Sequence, residues 1–217
     1  MVVVCLALVV AGCGKKSSTA TPTTKGSGKA TPVKAGDKVH WPAPASAKVV
    51  GLAQAVAITV GHFETLQHHV HAHLDVFIDG EHTVVPAGIG IAIDEPGVHV
   101  FPDPPIGKAY GGITKACANP CISPLHTHGN SGVLHTESPT DVDHTLGQLF
   151  GEWDVKLTDT CVGEFCLPDK AIVVYVDGAL RPLKGAKDIL LSAQREIAVV
   201  IGANPPVIPS KGDFSAD

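Results

Sequence analysis

The sequence predicts a mainly β (α+β) fold, a single β-rich domain with one or two short helices. Three observations point there. Residues 69–78 alternate strictly, with Val70, Ala72, Leu74, Val76 and Ile78 on one face and His69, His71, His73 and Asp75 on the other, the period-two signature of a half-buried strand. Asp79-Gly80 and Asp177-Gly178 each follow an apolar run, and Asp-Gly is a strong signal for a two-residue hairpin turn. Helical patterning is confined to short stretches.

In chain order, residues 1–12 form an apolar run ending in Val10-Ala11-Gly12-Cys13. The run is too short to span a bilayer, which takes about 20 apolar residues. It resembles the lipobox of bacterial lipoproteins, which implies signal removal, lipidation of Cys13 and anchoring to the outer face of the cell membrane. No Lys or Arg precedes Cys13, so the usual positive n-region is missing. Residues 13–46 are rich in Lys, Ser, Thr, Ala, Gly and Pro, a composition that buries too little apolar surface to order itself, and they read as a low-complexity tether. The β-rich domain is expected over 47–204, and 205–217 as a loose C-terminal tail.

Within the domain, residues 48–60 are apolar and ambiguous between helix and strand. Thr83-Val84-Val85-Pro86 reads as the return strand of the first hairpin. The Pro- and Gly-rich stretch 94–122 reads as a surface excursion, and Asp143 as the cap of a short helix with Leu146, Leu149 and Phe150 as its apolar stripe. Strands are expected at 171–176 and 196–201. The runs Leu74–Gly80 and Val173–Gly178 echo each other, as two copies of strand-plus-turn grammar would.

Composition narrows the function classes. With a formal charge of −5 and no basic stripe, nucleic-acid binding has no electrostatic support. No Gly-rich phosphate loop and no Gly-x-Ser-x-Gly elbow is present. Cys117, Cys121, Cys161 and Cys166 suggest two disulfides in an oxidising compartment, with three pairings open. A rival reading takes Cys117-x3-Cys121 as a redox or copper-delivery thiol pair.

Histidine is the outlier, at 12 residues against 16 Lys plus Arg. Three pairs share one spacing: His71-x-His73, with His69 two residues further back, His126-x-His128, and His135-x-Glu137. Residues i and i+2 of a strand face the same way, roughly 6.5–7 Å apart. Two such side chains can converge on one ion. Gly129 to Gly132 reads as a tight turn folding His126 and His128 back beside His135 and Glu137. The expected metal ligands are therefore His71, His73, His126, His128, His135 and Glu137, with His69 as an additional donor. Imidazole plus carboxylate suits a divalent transition metal. Copper and zinc lead because histidines dominate, and Fe(II) and Mn(II) are also accommodated; the only methionine is Met1, which leaves a processed chain no thioether for copper(I).

The segments His71-Ala72-His73-Leu74, Pro86–Ile91, Leu125–Pro139 and Thr145–Phe150 resemble an uncharacterised family of exported bacterial and archaeal proteins, over most of residues 65–202. That resemblance implies export and a shared fold, and it carries no activity or catalytic residues. Its pattern has an aspartate where this chain has Gly129. Three functions are consistent with these observations: a non-catalytic metal-binding envelope lipoprotein, favoured because no nucleophile is evident; a cupin-like or hydrolytic metalloenzyme using the same ligands; and a disulfide/redox or structural envelope protein.

Overall fold

The computed structural model describes residues 25–214; the apolar run 1–12 and Cys13 lie outside the described residues. The alternating segment forms the longest strand, β1 (His68–Ile78). It is followed by β2 (Glu81–Thr83), β3 (Leu125–His126), β4 (Val133–Ser138), β5 (Ile172–Val176), β6 (Ala179–Pro182) and β7 (Glu196–Ile201). These build one sheet in the order β6-β5-β7-β1-β4-β3, with β2 also on β1. β1 is central because it is shared. Residues 68–73 pair antiparallel with β4, residues 76–78 with β2, and residues 73–78 run parallel to β7.

Both Asp-Gly sites form two-residue hairpin loops. Asp79 and Gly80 have φ 53° and 87°, and Asp177 and Gly178 have φ 50° and 76°. Positive φ at both central residues is what a type I′ turn requires, and its twist matches that of the flanking strands. The echo between the two segments is therefore this shared grammar, with the paired ends Ile78↔Glu81 and Val176↔Ala179.

The aliphatic side chains of β1 face the main core. There Leu74 and Val76 join Val174, Ile197 and Val199, beneath α1 (Val49–Ala55) and α2 (Leu146–Glu152). The ambiguous stretch 48–60 is thus a helix at its start. Helix α2 is capped by Thr145, whose side chain accepts from the Gln148 amide while the Gln148 side chain accepts from the Thr145 amide. Asp143 was the expected cap. It stands two residues outside the position from which a side chain reaches the first turn.

The opposite face of the sheet is also covered. Phe77, Tyr175, Ala198, Val200 and Ile208 make a second, smaller apolar cluster. Gly28–Lys29 and Pro209–Lys211 pair as a short parallel ribbon, and Ile208 and Ala30 are buried. The packed body therefore reaches into both segments read as tether and tail: these few apolar residues cap a sheet face that alternation alone left open to water. The excursion 94–122 carries a small hairpin, His99–Pro102 with Lys108–Gly111. The cysteines pair locally, Cys117 with Cys121 and Cys161 with Cys166.

Replacing Thr145 by Ala removes half of the capping box. The expected loss is about 1 kcal/mol of unfolding free energy, read as a lower urea midpoint with an unchanged slope.

Candidate metal centre

Strand register assembles the centre. Across three neighbouring strands His71 lies opposite His135 and His135 opposite His126, while His69 lies opposite Glu137. Directly opposed residues project to the same side of a sheet with β-carbons about 5 Å apart. One face at the β1–β4–β3 end therefore carries five donors, and His128, just past β3, adds a sixth. Gly132 has φ 87°, and a β-carbon there would stand 2.6 Å from the Leu74 carbonyl oxygen. Only glycine lets the 127–132 loop return this close to β1.

The donor atoms are spaced like ligands. His126 Nε2 is 3.2 Å from His128 Nε2 and 3.8 Å from Glu137 Oε1. Glu137 Oε1 is 3.6 Å from His128 Nε2, 3.4 Å from His135 Nδ1 and 3.4 Å from His69 Nε2. Four ligands about 2.1 Å from a tetrahedral ion are separated from one another by about 3.4 Å. Two donor sets share His135: His126, His128, His135 and Glu137 form one, and His69, His71 and His135 the other, with the donor atoms in each lying within 4.8 Å of one another. Two rings of the second set are also close, His69 Nε2 being 2.8 Å from His71 Nε2.

Backbone carbonyls orient two of the rings. His126 Nδ1 donates to the Ser123 carbonyl at 2.8 Å, and His128 Nδ1 donates to the Tyr110 carbonyl at 2.6 Å. A proton on each Nδ1 leaves each Nε2 with an inward lone pair, the second-sphere arrangement usual for metal-bound histidine. Two lone pairs 3.2 Å apart repel each other, and a cation between them relieves that. Gly111 permits the Tyr110 contact, since a β-carbon there would stand 2.5 Å from His128 Nδ1.

Protonation states agree with this assignment. Burial holds the His126 imidazole well below its ordinary value, and neighbouring His128 adds to the effect. Burial alone would raise the Glu137 carboxyl. The three imidazoles packed around it, His128, His135 and His126, outweigh it and hold the group far below the usual carboxylate range. A neutral imidazole beside an ionised carboxylate is the state a metal requires.

His69, His71, His126, His128, His135 and Glu137 are thus brought together, and His73 is placed apart. It shares the strand face, but one step further along β1 it lies opposite Glu196 of β7. Its Nε2 donates to the Ser131 carbonyl at 2.8 Å, and its Nδ1 is 3.0 Å from Glu196 Oε2 and 3.9 Å from Asp75 Oδ2. All three residues are buried. Burial lowers the His73 imidazole, but the two carboxylates raise it above its ordinary value, while burial pushes the Glu196 carboxyl up to about 7. Asp75 is readable from the same alternation as the histidines. Glu196 is not, because it lies far along the chain and carries no local motif. Ser123 and Tyr110 act through main-chain oxygens and leave no side-chain signal. The Asp103 carboxylate sits 2.8 Å from where a Gly129 β-carbon would stand.

A cleft of about 260 Å³ opens beside the centre, lined by Val60, Phe63, Glu64, Pro124, His126 and Glu137 among others. Behind it, the Ser123 hydroxyl donates to Glu152 of α2 at 2.6 Å. Burial pushes the Glu152 carboxyl up to about 8, against the opposing effect of that bond. The folded protein therefore keeps a proton that the unfolded chain releases near its ordinary value of about 4.5. Stability from this group falls as pH rises through the interval between those values. Glu152→Gln abolishes the effect: its urea midpoint is expected to gain steadily on that of the wild type from about pH 5 to pH 8.

No protein-family model, no curated protein and no solved structure matches this chain.

Proposed function

We propose that this protein is a lipid-anchored protein of the cell envelope that binds a divalent transition metal, copper or zinc, on the outer side of the membrane. One observation carries the metal: four donors from two adjacent strands and the loop after β3 lie within 4.8 Å of one another, with Glu137 Oε1 3.4–3.8 Å from all three imidazoles and His126 3.2 Å from His128, close to the edges of a coordination tetrahedron. Three of them are imidazoles, and imidazole-rich sites favour copper and zinc over manganese or magnesium. The disulfides Cys117–Cys121 and Cys161–Cys166 support an oxidising compartment. They also take these four thiols out of the pool of ligands and redox groups. The lipobox-like Val10-Ala11-Gly12-Cys13 supports the anchor.

A catalytic version of the same centre is favoured by one feature, the cleft whose wall includes His126 and Glu137. Such a cleft gives a small molecule a route to an open coordination position, where bound water or substrate is activated.

Metal analysis tests the binding reading. Full-length protein loaded with Cu(II) or Zn(II) and then dialysed is expected to keep at least one ion per chain. A His71→Ala, His126→Ala double variant is expected to bind at least 10-fold more weakly, and equal metal content in the two refutes the centre. Azide added to the Co(II)-loaded protein separates the two versions, because a shifted visible spectrum reports an exchangeable position and an unchanged one reports a centre closed by protein ligands. For the anchor, tritiated palmitate should label the wild-type chain in a bacterial host and fail to label Cys13→Ser.

A further inference from the structure

We propose that His73, Asp75 and Glu196 form a second cation site, distinct from the histidine-rich centre and suited to a hard divalent ion such as Mn(II). This inference goes beyond the proposed function and does not rest on it. The three residues come from β1 and β7, and their donor atoms lie within 4.8 Å of one another. His73 shares no donor set with His71, because its Nε2 is taken by the Ser131 carbonyl and its Nδ1 faces Glu196.

Glu196 is the independent observation. It is fully buried, and neither of its carboxylate oxygens has a hydrogen-bond partner. His73 Nδ1 is only 3.0 Å away, yet it makes no hydrogen bond to the carboxylate. Two ligands bound side by side to an octahedral ion at about 2.1 Å are about 3.0 Å apart, and each points at the ion, about 45° off the line joining them. The 3.0 Å separation of His73 Nδ1 and Glu196 Oε2 matches that spacing.

The surroundings supply the rest of a site. Asp75 is held in place by the Thr31 amide at 3.1 Å and by His82 Nε2 at 3.1 Å. The neighbouring cation, Arg195, is turned away, with Nη1 donating to the Leu190 carbonyl and Nε 3.5 Å from Asp177. Two buried carboxylates face His73, and His82 offsets the charge of Asp75 only when its ring is protonated; otherwise negative charge is left in a desolvated place, which is costly unless a cation or proton compensates it. A cleft of about 180 Å³ reaches His73, its lining mostly apolar with Asp103 and Asp213 among its polar residues. One imidazole with two carboxylates is a harder donor set than the neighbouring centre, which favours manganese-like ions over copper.

The test uses full-length protein stripped with a chelator and titrated with Mn(II), the free ion being followed by its six-line EPR signal. The wild type is expected to take up one Mn(II), and the His71→Ala, His126→Ala variant to take up the same amount. Glu196→Gln and Asp75→Asn, each verified as folded by circular dichroism, are expected to bind at least 10-fold more weakly. Mn(II) should also raise the melting temperature of the wild type and leave that of Glu196→Gln unchanged. Uptake that persists in both carboxamide variants overturns the proposal. So does uptake that disappears with His71 and His126, which places the ion in the other centre. No uptake by the wild type overturns it as well, and leaves the cluster as a proton shared among three buried groups. Failure of copper or zinc retention in the first centre would leave each of these results standing.

Discussion

The structure depends on the register of a single strand. β1 is held between β4 on one edge and β7 on the other, and its side chains alternate between an aliphatic core and a row of ionisable groups. A slip of one residue would send Leu74 and Val76 out of the core and drive His71, His73 and Asp75 into it. The apolar face therefore enforces the placement of the polar one. Each donor inherits its position from hydrophobic burial on the other side of the sheet, which is how weakly directional forces come to fix ångström-scale spacing.

That polar row is not solvated in the way a one-sided antiparallel sheet would allow. The ribbon formed by Gly28–Lys29 and Pro209–Lys211 and the second apolar cluster around Phe77 and Tyr175 close over its far end, and His73, Asp75 and Glu196 are buried there. Burying ionisable groups costs several kcal/mol apiece unless they are paired. The sheet spends stability from its aliphatic face to keep them there, and sites built at such cost are where perturbed protonation and function concentrate.

Much of this was legible from residues alone, and what was not has a physical cause. Period-two alternation located β1, and the Asp-Gly pairs located both hairpins, because these signals act within a few residues of themselves. The three donor pairs found five of the six residues that converge, and His69, read as an additional donor, is the sixth. His73 went astray because alternation reports which face a side chain takes and not which neighbour it meets; its neighbour is chosen by the parallel pairing of β1 with β7, contributed by a segment more than a hundred residues away. Glu196 was invisible for the same reason, being an ordinary glutamate at the start of an apolar strand. The cap of α2 was displaced from Asp143 to Thr145 because both residue types cap well and only the helix start decides between them. The segments read as tether and tail contain few apolar residues, and those few suffice when an open sheet face is waiting for them.

Exposure along the polar face runs in one direction, and that bears on how a metal would arrive. His69 is exposed, with 37% of its side chain accessible, and His71 is half-buried, while His135 and Glu137 are nearly covered and His126 is wholly so. His135 belongs to both donor sets, so one ring borders both the exposed pair and the covered set. Outer ligands in water exchange readily. Inner ligands in a low-dielectric setting bind more strongly, since the attraction between a cation and the Glu137 carboxylate grows as water is excluded. A metal bound by these three strands would thus meet exchangeable ligands at the exposed end and strongly held ones at the covered end, with His135 standing between the two.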